Sequence, residues 1–257
     1  PDPDAPSDDN RYTIYVYGGD YIEPQIIIPS GVYIVGESMQ CVKFTPLETG
    51  YPFMTFTQST GIAFASIRNT DPDYPALYFY NCNDFALAHK LELDGCSMGI
   101  MCETDNLATD TSLCYLEYIG TTDCLTYTLL CIDSNDEGGY GSEVSIENFF
   151  AYGHNDNAII VNGQNSYIMS HASVLQGDST GNAITILNGA WIDIRGMYIE
   201  NWEIGINQPI SSGTSHILLS GILYENCIQN INIQSTTTYG HSDGYSDYSK
   251  TIIPQTA

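Results

Sequence analysis

The stretch Trp191–Ile233 contains itself twice, and this constrains the chain more than any other feature. Trp191-Ile-Asp-Ile-Arg-Gly-Met-Tyr-Ile-Glu-Asn201 aligns with His216-Ile-Leu-Leu-Ser-Gly-Ile-Leu-Tyr-Glu-Asn226. At an offset of 25 residues, Ile192 meets Ile217, Gly196 meets Gly221 and Glu200 meets Glu225. The register holds as far as Ile206 over Ile231. Upstream, Val144, Ile168 and Ile192 recur 24 apart, and Ala158-Ile159 returns as Ala183-Ile184. A repeat of this length is the mark of a solenoid. Runs such as Ile192/Ile194, Ile204/Ile206 and Ile231/Ile233 alternate, as half-buried strands do, and Asn, Gly, Ser and Asp break them. No stretch carries a capped apolar stripe of helical period. The expected fold is therefore all-β: a single-stranded parallel β-helix with rungs of about 25 residues. Each strand pairs with its equivalent one rung on, so Asn201 over Asn226 predicts a structural ladder in which one amide bonds the next. Such a bond contributes roughly 1 kcal/mol net.

Three segments follow. Residues 1–10 (PDPDAPSDDN) form a Pro/Asp arm or linker with nothing to bury. Residues 11–234 form the β-helix domain. Residues 235–257, rich in Ser, Thr and Tyr, lack the repeat and read as a tail or cap. Within the domain, Asp71-Pro-Asp-Tyr-Pro75 should leave the helix as a loop, because proline cannot donate to a ladder. The opening Pro1 without a Met suggests a processed N-terminus.

The opening also carries a resemblance. A strand, Gly19-Asp-Tyr21-Ile-Glu23, a second strand and Pro29-Ser-Gly31-Val-Tyr-Ile34-Val-Gly36 follow one another. This order resembles the first rungs of the pectin-lyase-like right-handed β-helix superfamily, as seen in pectin methylesterases and in phage and virus surface β-helices. The resemblance covers Tyr12–Ser38. It implies a right-handed coil, with Gly19, Tyr21 and Glu23 in a structural first turn. The later Asp, Gln and Arg signatures of a pectin methylesterase have no counterpart.

Charge narrows the partners. Against 31 acidic residues stand only 6 Lys and Arg, for a net charge of −25. A phosphate backbone needs cations to displace its counterions, so nucleic acid is excluded as a partner, and membrane insertion has no apolar run to support it. Eight cysteines occur without a C-x-x-C pair. They read as reduced thiols filling the core, or as disulfides if the chain is exported. No N-x-S/T sequon is present.

Alternation places Glu147, His171 and Arg195 at equivalent outward positions, with Glu117, and Asp94 by a looser register, extending the row. Adjacent strands lie about 4.8 Å apart, so these groups would form one lateral line. Acids beside an arginine resemble the layout of the superfamily's polysaccharide lyases and hydrolases. The competing reading is a surface charge ladder. Asp133, Asn135, Glu137 and Glu143 lie in DSNDEGGYGSE at nearly EF-hand spacing and would hold Ca²⁺, although Glu143 falls one position early. Outward Tyr115 and Tyr198, with Tyr239, Tyr245 and Tyr248 of the tail, offer apolar platforms with polar tips for sugars or subunits. The expected function is a non-catalytic structural or adhesive component at an extracellular, cell or virion surface. It would need no cofactor, self-associate into a homo-oligomer or polymer, and contact glycans. The alternative is a carbohydrate-active enzyme using Glu117, Glu147, His171 and Arg195.

Overall fold

A computed structural model of the protein describes residues 5–7, 10–83, 85–105, 111–133, 141–154, 156–210, 213–234 and 237–242, with the backbone alone at 154 and 237–242. The chain folds as the all-β parallel β-helix expected from its repeat. Parallel strands assemble into a 15-stranded sheet and a nine-stranded sheet. The larger sheet is bent along its length, so the coil has three faces. The first face starts each rung, with strands such as Tyr167–His171, Trp191–Arg195 and Ser215–Ser220. The second follows it, with Val174–Gly177, Tyr198–Glu200 and Leu223–Glu225. The third is the nine-stranded sheet, with Asn157–Asn162, Asn182–Leu187 and Ile204–Gln208. The long strands Ser112–Thr122 and Ser142–His154 run through the bend from first face to second.

Like residues stack because each strand meets its own equivalent one rung on. On the third face one inward column runs Ile26, Met54, Leu77, Ile100, Leu129, Ile159, Ile184, Ile206, Ile231. A first-face column runs Ile34, Ile62, Ala88, Leu116, Ile146, Ser170, Ile194, Leu219. Burying each aliphatic side chain stabilises the coil by about 1.5–3 kcal/mol. Ser170, polar in that column, is satisfied by Ser173 at 3.0 Å. Phe56 and Phe79 stack at 4.5 Å between centroids, and buried Trp202 donates its indole N–H to the Leu175 carbonyl.

The bend between the first and second faces rests on one residue per rung in the left-handed region. Phe64, Lys90, Tyr118, Asn148, Ala172, Gly196 and Gly221 have φ between 51° and 64°. For a residue with a Cβ this conformation costs about 1–2 kcal/mol. Two rungs use glycine; the N-terminal half accepts the strain with large side chains.

Several expectations are refined. Asn201 and Asn226 do stack, but their amides do not form a ladder. Both are left-handed corner residues, at φ 58° and 54°. The Asn201 backbone N–H donates to the Glu225 carbonyl, while its side-chain amide turns to the Glu200 carboxylate at 3.2 Å. Amide ladders occur elsewhere, from Asn188 to Asn162 and from Asn232 to Asn207, each at 2.8 Å. The Asp71–Tyr74 loop leaves the coil as expected, and Pro75 then opens the strand Pro75–Tyr80. In the expected tail, Thr237–Ser242 pairs with Ser215–Ser220 and adds a strand to the first face. In the arm, Ser7 closes a turn with Asn10 and lies against Gly31, where a Cβ would strike the Ser7 carbonyl oxygen at 2.1 Å.

None of the eight cysteines is joined in a disulfide; seven are buried and Cys41 is half-buried. Hydrogen bonds to a neighbouring thiol, Cys114 for Cys82, Cys102 for Cys114 and Cys96 for Cys124, combine with burial to push the pKa values of Cys82, Cys114 and Cys124 up. Burial, with the nearby Asp133 and Glu143 carboxylates, pushes Cys131 up to about 12. A raised folded pKa gives stability that is complete below the unfolded thiol value and is lost as pH climbs through the folded one. Melting temperature should therefore fall as pH rises from 9 towards 12. At mildly alkaline pH a thiol reagent should modify Cys41 quickly and the other seven only after denaturant. Several fast thiols would contradict this. Ala172→Gly should stabilise the protein by about 0.5–1 kcal/mol, read as a higher urea midpoint, by relieving its left-handed strain.

Candidate functional site

The row expected from the sequence is real. Glu117, Glu147, His171 and Arg195 are successive register partners on the first face. Its N-terminal extension is His89 and not Asp94: His89 pairs with Glu117, whereas Asp94 pairs with Thr122 on the second face. The looser register failed because the strand Ala86–Asp94 turns the corner at Lys90 between those two positions.

Within the row the charges already have local partners. His89 Nδ1 lies 3.0 Å from Glu117 Oε2. Arg195 donates from Nε and an Nη to the two carboxylate oxygens of Asp193 at 3.0 and 2.6 Å. That bidentate hydrogen bond raises the Arg195 pKa, which takes the guanidinium further from service as a base. Glu147 and His171 are exposed on an open sheet. The ion pairs of the row thus join His89 to Glu117 and Arg195 to Asp193 of its own strand.

The other expected residues also separate. Tyr115 is exposed on the first face and packs against Phe85 at 4.9 Å. Tyr198 lies on the second face, where its hydroxyl donates to Glu225 at 2.5 Å; this bond, with burial behind it, raises the phenol's pKa. Asp133 is buried and accepts hydrogen bonds from the Asn165 backbone and amide at 3.3 and 2.9 Å. Glu143 is on the first face between Leu113 and Tyr167. Asn135 and Glu137 lie outside the described residues, as do Tyr245, Tyr248 and the side chain of Tyr239. Among the described residues, no group of three or more His, Cys, Asp or Glu is placed to hold a metal ion.

A deeper feature lies on the second face, and the sequence reading passed over it. One outward row there runs Asp20, Lys43, Ser66, Glu92, Gly120, Phe150. The row beside it includes Asp94, Thr122 and Tyr152. Gly120 removes a side chain from the middle of the first row. A Cβ built there would meet only the Leu91 carbonyl oxygen, at 3.9 Å. Tyr118, Phe150 and Tyr152 line the resulting notch together with Met39 and Gln40 of the turn before Val42–Pro46. Glu92 joins the notch to a second depression lined by Asp20, Lys43, Arg68 and Asp94. Together they make a groove running along the coil axis across six rungs, roughly 24 Å at the strand spacing.

The corner above the groove is built from strained, interacting side chains. Lys90 Nζ lies 5.2 Å from the Phe64 ring centroid and 5.8 Å from that of Tyr118. His89 meets both rings edge-on, at 5.5 and 5.9 Å. Left-handed φ values at Phe64, Lys90 and Tyr118 aim these side chains outward as one cation–aromatic column. The groove thus has aromatic walls, hydrogen-bonding carboxylates and two cations. Glu92 and Gly120 are 28 residues apart and Gly120 and Phe150 are 30 apart, so the regular repeat of the C-terminal half does not align them. The signal available in the sequence was a glycine between Ile119 and Thr121, two residues after Tyr118, which becomes informative only once rung lengths are known.

No protein-family model matches the chain, and no curated protein matches it. Among solved structures it is similar to the A-module of mannuronan C-5 epimerase AlgE4 from Azotobacter vinelandii. That match has 11% identity and a TM-score of 0.36, covering 93% of this chain and 92% of the other. The AlgE6 A-module of the same organism matches at 10% identity and a TM-score of 0.38, covering 96% and 92%. The catalytic domain of a GH87 alpha-1,3-glucanase, in complex with tetrasaccharides, matches at 10% identity and a TM-score of 0.34, covering 95% of this chain and 65% of that one.

Proposed function

We propose that this protein is a non-catalytic, adhesive β-helix that binds a carbohydrate chain lengthwise in the groove of its second face. The observation that carries this reading is the notch at Gly120, open between Glu92 on one side and Phe150 and Tyr152 on the other. Aromatic faces pack against the C–H faces of sugar rings, and carboxylate, amide and guanidinium groups bond their hydroxyls. The groove supplies both, with Tyr118 and Tyr152 exposed and with Gln40, Glu92, Asp94 and Arg68 along its length. Binding of this kind requires no cofactor and suits a protein working at an extracellular, cell or virion surface.

A second reading, a carbohydrate-active enzyme, has one observation in its favour. Glu92 and Asp94 stand two residues apart on the outward side of one strand, and neither makes a hydrogen bond or ion pair among the described residues. Their backbones are about 6.6 Å apart, compatible with the carboxylate spacings of glycoside hydrolysis. Both, however, are exposed to water, whereas a general acid in such a reaction is shielded so that it keeps its proton. Binding is the reading the geometry supports better.

The test is calorimetric titration against neutral glucans, mannans and xylans and against oligouronates, followed by assay for new reducing ends. At least one polymer class should bind without being cut. Gly120→Leu, which fills the notch without backbone strain, should weaken binding at least about tenfold, and Tyr152→Ala by a similar factor. Tyr115→Ala, on the first face, should leave affinity unchanged. Unaltered affinity in Gly120→Leu would remove the groove from the account. Release of reducing ends that is lost in Glu92→Gln would replace adhesion with catalysis.

A further inference from the structure

We infer that the third face is the surface through which two copies of this chain associate. The outward positions of its nine strands form two rows. In the first, Tyr78, Met101, Leu130 and Ile160 are consecutive register partners. Thr55 precedes them, and Thr185, Asn207 and Asn232 follow. In the second, Ile132 and Leu187 flank Asn162. The apolar members are half-buried and stand at the outward positions of their strands, away from the core.

Charge identifies the partner. The chain carries 31 acidic residues, yet within these two rows the charged side chain is Glu103, which accepts a hydrogen bond from the Tyr78 hydroxyl at 2.5 Å, and Asp105 at their edge accepts from the Tyr80 hydroxyl and the Asn81 amide. The first face, by contrast, presents Glu117, Glu143 and Glu147, and the second Asp20, Glu92 and Asp94. Two molecules at −25 each repel one another, and carboxylates brought together across a contact add to the penalty. The third face is the one on which copies can meet with almost no opposed charge. A flat, uncharged surface is also self-complementary, as a two-fold contact requires. A sugar chain would find few directional polar groups in its centre.

The size is sufficient. Eight spacings of about 4.8 Å by about 17 Å of strand give on the order of 650 Å² of projected surface, near the ~800 Å² per partner of a standard interface. Sheets packed face to face about 10 Å apart would let Leu130 and Ile160 of each copy interdigitate.

Sedimentation equilibrium of the full chain tests this. We expect a dimer of the 28.3 kDa chain, tighter in added salt because screening weakens the long-range repulsion. Leu130→Arg should raise the dimer dissociation constant by roughly 30-fold or more. Leu130→Asn, which disturbs the monomer less, should move it in the same direction if the arginine variant loses its β-sheet circular dichroism. Met169→Arg on the first face should dimerise as the parent does. A parent chain that stays monomeric in low and high salt would overturn the inference. So would a folded Leu130→Arg or Leu130→Asn protein that associates as tightly as the parent.

Discussion

Everything in this molecule depends on the parallel pairing of each rung with the next. A rung cannot satisfy its own backbone N–H and C=O groups; its neighbours above and below must do so. That requirement forces equivalent residues into columns about 4.8 Å apart. It explains why the inward positions read isoleucine after isoleucine from Ile159 to Ile231. It also makes any outward choice propagate. One residue type repeated on an outward position becomes a stripe, and one residue omitted becomes a notch.

The three faces are therefore chemically distinct surfaces of a single coil. The first is flat and carries charges that satisfy one another, as Arg195 does with Asp193 and His89 with Glu117. The second is interrupted at Gly120 and walled by aromatic side chains. The third is almost free of charge. Of six Lys and Arg residues in the chain, Lys43 and Arg68 line the groove of the second face and Lys90 stands at its corner. In a protein of net charge −25, concentrating cations there lowers the local negative potential where a ligand would enter.

The regular half of the coil was legible from the sequence, because Ile192, Ile194, Ile204 and Ile206 alternate and return at a constant interval. Register followed directly, so Glu117, Glu147, His171 and Arg195 were correctly placed in one row. What that row could do was not legible. Asp193, two residues before it on the same strand, pairs with Arg195, and the corner at Lys90 carries Asp94 to another face. Asparagine stacking was anticipated at Asn201 and Asn226, where the left-handed backbone redirects the amides; the bonded amides sit at Asn162/Asn188 and Asn207/Asn232. The groove escaped notice for a topological reason. Its rungs are longer than those of the repeat, and the side chains that wall it meet only after the coil has closed.

Hydroxyl-radical footprinting with and without saturating carbohydrate tests the central claim most directly, since Met39, Tyr118, Phe150 and Tyr152 of the groove are all readily oxidised side chains. Binding along the second face predicts that these four lose labelling together, while Tyr115, Met169 and Trp191 of the first face keep theirs. Protection of the first-face residues, with the groove still labelled, would contradict it.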